Sequence, residues 1–309
     1  MKKAFTFLLL LAVCSFTSAQ KLTDKVDVFL GTGGHGHTYP GATVPFGMVQ
    51  LSPDNGVEGW DWCSGYHYSS DSIAGFSHTH LSGTGIGDWC DVSVMPFIQS
   101  NPASVRTKFS HRNESARPGY YKVQLDNGIV CEMTTTERNG YHRYTFPQGS
   151  DAGLQFDLSF RINWDKPTAV YLNLLNDTTL VGYRFSTGWA KGQKVYFAAR
   201  FSKPALQKVF IDSSGQNRSP APFDKAVRTQ LQFGNDGRPL TVRVALSSVS
   251  TEKAVAALAE TQGRSFEEVA TAADVAWETE LQKIKIATAE ADFETQFYTA
   301  LYHTCVAPN

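Results

Sequence analysis

The chain has 309 residues, 28 of them basic and 29 acidic, and a net charge of −1 at neutral pH. That balance gives no general pull toward nucleic acid or an anionic membrane surface. No apolar run is long enough to span a bilayer, and the four cysteines beyond the leader, Cys63, Cys90, Cys131 and Cys305, are too few for a disulfide scaffold.

Residues 1–19 read as an export signal. Lys2 and Lys3 supply the charged start, residues 5–13 a short apolar run, and Thr17-Ser18-Ala19 small residues for cleavage before Gln20. Cys14 raises a lipoprotein anchor, but bulky Val13 stands where such a signal needs a small residue, so a periplasmic or secreted protein is expected. The next hundred residues are rich in glycine and histidine and read as long loops and short strands decorating one end of a sheet structure. Residues 31–68 and 75–91 together hold five of the eight histidines and three of the six tryptophans. Side chains that small and polar do not fill a core, and repeated glycines mark tight turns or close approaches. Hydroxyls, imidazoles and carboxylates interleaved with indoles suit a sugar, which needs hydrogen bonds and an apolar face to stack on.

Within this stretch Trp60, Trp62 and Trp89 are candidate stacking residues. Asp54, Glu58, Asp61, Asp88 and Asp91 are carboxylates to weigh for glycoside hydrolysis, although such residues in glycine-rich loops more often bind loop amides. His35 with His37, and His78 with His80, have a spacing that could ligate a transition metal. Nothing completes either set, so no metal is assigned to these residues. Cys63 and Cys90 could pair or simply pack.

From about residue 27 to 249 the pattern is strand-like. Leu154, Phe156, Leu158 and Phe160 alternate with smaller or polar partners, as do Val195, Phe197, Ala199 and Phe201, and Leu240, Val242, Val244 and Leu246. Asp126-Asn127-Gly128 separates residues 120–125 from 129–137 as a hairpin turn, and Asn176-Asp177 separates 169–175 from 179–185. Arg138, His142 and Arg143 form a second polar cluster, expected on a solvated sheet face. Many strands without helical periods between them predict a large antiparallel β-sandwich.

Helical periods then begin. Ser250 or Thr251 caps a helix carrying Val255, Leu258 and Ala259 that Gly263 stops. Ser265 and Glu268 form a capping box ahead of a stripe of Phe266, Val269, Ala273, Trp277, Leu281 and Ile284. A third helical run from about residue 290 puts Phe293, Phe297 and Leu301 on one face, with Tyr298 and Tyr302 nearby. A face that wide needs a partner, so the chain is expected to break off just inside a helical domain.

Three strings are specific enough to carry a resemblance: GATVPFGMVQLSPDN from Gly41, SGYHYSSDSIAGFSHTHLSGTG from Ser64 and TERNGYHRYTFP from Thr136. With LYHTCVAPN at the end, they resemble glycoside hydrolase family 92, whose members are exported, exo-acting α-mannosidases. The resemblance implies a mainly β fold: a large antiparallel β-sandwich (residues 20–249), a helical linker (250–286) and the first helix of an (α/α)6 barrel (287–309). It also implies a calcium ion at the interface of the two domains, inverting hydrolysis of terminal α-mannosides, and mannose-containing glycans as partners. The catalytic carboxylates and most calcium ligands of the family belong to the barrel, so no catalytic or metal-binding residue is assigned here, and the 309-residue chain alone is expected to be inactive. The sandwich's share of the pocket carries over as substrate-binding residues: Trp60 and Asp61, and His78, His80, Ser82 and Gly83 of the HTHLSG loop. The competing reading is a stand-alone carbohydrate-binding sandwich without catalysis.

Overall fold

The computed structural model describes residues 20–98, 105–217 and 226–307. The expected export signal, with Cys14, lies outside the described residues. In chain order the strands are β1 (Ala42–Thr43), β2 (Gln50–Asp54), β3 (Ser72–Ile73), β4 (Gly75–Ser77), β5 (Ser93–Phe97), β6 (Thr107–Arg117), β7 (Tyr120–Leu125) and β8 (Val130–Thr135). They continue as β9 (Asn139–Thr145), β10 (Ala152–Asp157), β11 (Lys166–Asn176), β12 (Thr179–Thr187), β13 (Gln193–Phe201), β14 (Ala205–Asp212), β15 (Ala226–Phe233) and β16 (Leu240–Ser247). A seven-stranded sheet, β1-β2-β4-β5-β10-β15-β14, faces a nine-stranded one, β11-β12-β13-β16-β9-β8-β7-β6-β3, and neighbouring strands pair antiparallel.

Both expected hairpins are present. Gly128, at φ 86°, closes β7 onto β8, because a residue with a Cβ is strained in that left-handed turn. β11 returns into β12 with Asn176 opposite Thr179. The alternating runs face inward: Leu154 and Phe156 from one sheet meet Phe197, Val242 and Val244 from the other, all fully buried, and the rings of Phe156 and Phe197 stack 6.3 Å apart. Each such side chain contributes roughly 1.5–3 kcal/mol by leaving water.

The first hundred residues differ from expectation. Rather than decorating the sandwich, β1, β2, β4 and β5 build one half of the seven-stranded sheet. Alternation gives them no signature, because β2 (QLSPD) and β5 (SVMPF) are buried at every position. The Arg138–Arg143 cluster is also only in part a solvated face. His142 is fully buried and Arg143 pairs with Glu132 and Glu267, so one of the helices that follow the sandwich reaches over this strand, while Arg138 stays exposed as expected and pairs with Glu260.

Those helices are α1 (Thr251–Ala257), α2 (Phe266–Leu281) and α3 (Ala291–Thr304). Ser250 caps α1, which seats Ala254, Ala257 and Leu258 on Val181, Ala198 and Ala245 of the larger sheet, and Ala259 faces out. The Ser265–Glu268 capping box opens α2 as expected, and its stripe is buried as far as Leu281; Ile284 lies past the helix end and is exposed. Trp277 is fully buried and donates its indole N–H to the Thr43 carbonyl at 2.6 Å, tying α2 to the sandwich. α3 buries Tyr298 and Tyr302 against Trp277, Leu281, Val28 and Tyr39, and leaves Phe293 exposed. Its inward face is therefore the tyrosine edge, one position off the stripe expected from Phe293, Phe297 and Leu301.

Candidate functional site

The glycine- and histidine-rich loops at one end of the sandwich divide into an outward and an inward group. The outward group centres on Trp60. Gly59, at φ 99°, turns the chain into a short 3-10 turn, Trp60–Trp62, which sets the Trp60 indole 54% exposed. The Cys63 thiol donates to the Trp60 carbonyl at 2.7 Å and fixes that turn from beneath. His37 meets the indole edge-on with ring centres 4.3 Å apart, and His35 lies tilted against it at 5.1 Å. The other flank is the loop of Ser82 and Gly83, where the Gly83 N–H donates to the His37 carbonyl at 2.8 Å. A Cβ on Gly85 would collide with the Trp60 indole nitrogen, so only glycine admits the ring there.

Two polar groups are poised around this indole. His35 Nδ1 lies 2.6 Å from Asp61 Oδ1, and that contact holds the Asp61 carboxyl below the usual carboxylate range. His37 is only 5% exposed and sits at φ 54°. Its Nε2 is buried without a hydrogen-bond partner and is 3.8 Å from Asp61 Oδ1. Burial lowers its pKa and keeps the ring neutral. A buried, unsatisfied imidazole nitrogen beside an exposed indole and an ionised carboxylate offers a ligand hydrogen bonds at the edge of a stacking surface.

The inward group contains His78 and His80, expected to touch substrate, together with Asp54, Asp88 and Asp91. All five are buried. His78 Nδ1 must donate to the Val92 carbonyl (2.7 Å), which leaves its Nε2 to accept from His142 Nε2–H (2.9 Å). His142 Nδ1 then accepts from the Tyr144 hydroxyl (2.8 Å). Burial holds His78 down to about 3 and His142 well below the usual histidine value, so both rings are neutral. His80 lies between the Gln50 carbonyl (2.8 Å) and Asp54 Oδ1 (2.9 Å). With every ring nitrogen engaged inside the protein, His78 and His80 support the loop and do not line its surface. Ser82 and Gly83 remain at the outside, beside His37.

The candidate carboxylates separate in the same way. Asp91 accepts from Arg184 at 2.7 Å and from Thr79 Oγ1 at 2.8 Å, while Arg184, itself buried, also binds Asp165 and the carbonyls of Leu158 and Phe160. Asp88 accepts the N–H groups of Trp189 (2.9 Å) and Ala190 (2.8 Å). Only Asp61 and Glu58 of the original five stay near the surface.

Cys63 and Cys90 are free thiols, as are Cys131 and Cys305. Cys90, at φ 56°, joins Asp54 and His80 in a buried trio whose ligand atoms lie within 4.8 Å of one another, a grouping the sequence did not suggest. One carboxylate, one imidazole and one thiol do not fit calcium, which takes six to eight oxygens. No group of three such side chains among the described residues supplies an oxygen shell. The role of His37 was also missed. Its only signal was that HGH and GWDW are both glycine-flanked, and their meeting depends on the fold.

The family profile described as the glycosyl hydrolase family 92 N-terminal domain matches residues 25–247, and that family's catalytic-domain profile matches residues 253–309. An uncharacterized secreted glycosidase of Arthroderma benhamiae is 28% identical over 92% of this chain and 41% of its own length. A family GH92 α-mannosidase from Bacteroides thetaiotaomicron, solved in complex with mannoimidazole, superposes with a TM-score of 0.87 at 35% identity, covering 93% of this chain and 40% of that one. A family GH92 inverting mannosidase from the same species superposes with a TM-score of 0.82 at 25% identity, over 93% and 40%. The chain thus spans about two fifths of the length of these relatives.

Proposed function

Because the chain belongs to glycosyl hydrolase family 92, we propose that it forms one wall of a mannose-binding cleft in an exported α-mannosidase that removes terminal α-mannose from glycans with inversion. In this reading residues 20–249 are the sandwich domain, 250–286 a linker and 287–309 the start of an (α/α)6 barrel. The barrel supplies the acid, the base and the calcium ligands. Calcium would contribute Lewis-acid binding of sugar hydroxyls, and this chain's residues bind and orient the sugar.

The observation that carries the reading is the Trp60 cluster. An indole 54% exposed, braced by His35 and His37, lies beside a buried imidazole nitrogen that lacks a partner. The pyranose ring stacks on Trp60, His37 Nε2 and the Asp61 carboxylate meet its hydroxyls, and the loop of Ser82 and Gly83 closes the flank. Asp61 is kept ionised by His35, which suits a hydrogen-bond acceptor and not a general acid. Of the candidate carboxylates, Asp54, Asp88 and Asp91 are engaged inside the protein by His80, Trp189 and Arg184.

The test is titration of methyl α-mannoside into the 309-residue chain, followed by tryptophan emission. Binding is expected to weaken about tenfold or more in Trp60→Ala, and the chain should release no mannose from an α-mannoside with or without calcium. Unchanged binding in Trp60→Ala removes the proposed site. Calcium-dependent release of mannose would place the catalytic groups within these residues.

A further inference from the structure

His80 makes a contact that a neutral ring does not satisfy. Its Nδ1 lies 2.8 Å from the Gln50 carbonyl, which only accepts, so the single proton of the neutral imidazole sits on that nitrogen. Nε2 then presents a lone pair, yet it faces Asp54 Oδ1 at 2.9 Å. The Ser77 hydroxyl, 3.1 Å from Nε2, can give that nitrogen a proton, but Asp54 Oδ1 is left with no other donor among the described residues. Two buried acceptors this close need a positive centre to share, either a proton or a metal ion. Both side chains are fully out of water, and among the described residues no lysine or arginine pairs with Asp54. Buried Asp91 differs, because Arg184 balances its charge.

A third side chain favours the metal. Cys90 Sγ, Asp54 Oδ1 and His80 Nε2 lie within 4.8 Å of one another, and all three residues are buried. A proton shared by His80 and Asp54 gives the thiol no part, whereas the three together offer a metal one sulfur, one oxygen and one nitrogen. Zinc takes that mixture with bonds of about 2.0–2.3 Å, which puts its ligand atoms roughly 3–4 Å apart. Thiolate and carboxylate together cancel the charge of the ion, so the loaded site is neutral and suited to burial. The ligands are also braced from outside, as metal ligands are. The Gln50 carbonyl holds the far nitrogen of His80, and the Ser77 N–H donates to Asp54 Oδ2 at 3.0 Å. Gly65, at φ 81°, seals the group, since a Cβ there would stand 2.3 Å from Asp54 Oδ1 and 2.9 Å from His80 Nε2. Cys90 reaches it from strained backbone, at φ 56° with Trp89 at 78° and Val92 at 56°, and such strain persists where the surroundings over-determine it.

We propose that Asp54, His80 and Cys90, with the Ser77 hydroxyl at the fourth corner, bind one structural zinc ion that pins the HTHLSG loop to the end of β2 and to the segment leading into β5. The Cys90 thiol releases its proton to solvent as the zinc–sulfur bond forms. The inference does not depend on the mannose reading. Because the ligands are sealed, the ion is taken up as the chain folds. The 309-residue chain made in zinc-supplemented medium and then desalted should retain one zinc per chain by elemental analysis. Made with cobalt instead, it should show a thiolate-to-cobalt charge-transfer band that is missing in Cys90→Ser. Competition with a chromogenic chelator should show zinc held at least about a hundredfold more weakly in Cys90→Ser and in Asp54→Asn. The zinc-loaded parent should also unfold at a higher temperature than the same chain made in the presence of a chelator, a gap absent in either variant. A parent that retains no zinc and shows no cobalt band overturns the site and leaves a proton shared by His80 and Asp54. Zinc held equally by the parent and both variants belongs to surface histidines and also overturns it. If Cys90→Ser does not fold, the metal content and cobalt band of the parent, with Asp54→Asn, still decide.

Discussion

The loop carrying Trp60 and the loop carrying His78 and His80 are made of the same residues, and the protein uses them in opposite ways. Around Trp60, glycine, histidine and aspartate hold an indole out in solvent and leave the His37 Nε2 unsatisfied. Around His78 and His80, the same residue types close on themselves in buried hydrogen-bonded chains that run from the Val92 and Gln50 carbonyls to the Tyr144 hydroxyl and the Asp54 carboxylate. A buried polar group needs a partner from the protein or from a ligand, and the His37 Nε2 has none within the protein. The lesson is that polar, glycine-rich composition marks where backbone is forced into tight courses, and does not tell a binding surface from a polar core.

That contrast is open to direct attack. The largest effect should come from the interior: Arg184→Ala leaves Asp91 and Asp165 buried without their counter-charge and should cost about 3–5 kcal/mol of stability, read from urea unfolding. A loss under about 1 kcal/mol would mean that this network is wet, and the distinction between the two regions would collapse.

Next comes acid sensitivity. His78 and His142 stay neutral in the folded chain, down to about 3 for His78, whereas an unfolded histidine takes up its proton near pH 6.5. Between those limits the unfolded state binds protons that the native state refuses. Their stability contribution is therefore whole above about pH 6.5 and declines as pH falls, by up to about 1.4 kcal/mol per pH unit for each histidine. Unfolding midpoints at pH 7, 6 and 5 should show that slope in the parent and a shallower one in His142→Gln. Parallel slopes would contradict a dry His78–His142 pair.

The smallest effect sharpens the comparison from the other side. Trp60→Ala should change stability by no more than about 0.5 kcal/mol, because the indole is already half in water, while weakening sugar binding. A large loss of stability would make Trp60 a core residue that happens to be exposed.

Much of the architecture was legible in residues alone. Alternation located the inward faces of β10, β13 and β16. Asp126-Asn127-Gly128 located a hairpin, and Ser265 with Glu268 located the start of α2. These signals are local: a pleat repeats every two residues, and a cap or turn is settled within four. β2 and β5 were missed because burial on both faces erases alternation, and the direction of α3 was off by one position because Trp277 and Leu281, not propensity, select Tyr298 and Tyr302.

What the sequence determined by itself is the sandwich, its succession of helices and the family. Only the tertiary structure decided which of several like residues meet a ligand. Asp88 is occupied because Trp189 and Ala190, a hundred residues on, bring their N–H groups to it, and His78 is occupied because His142 arrives from another strand. The fate of a polar side chain depends on what covers it, and the covering segment is distant in the chain, so no pattern around the residue itself records it.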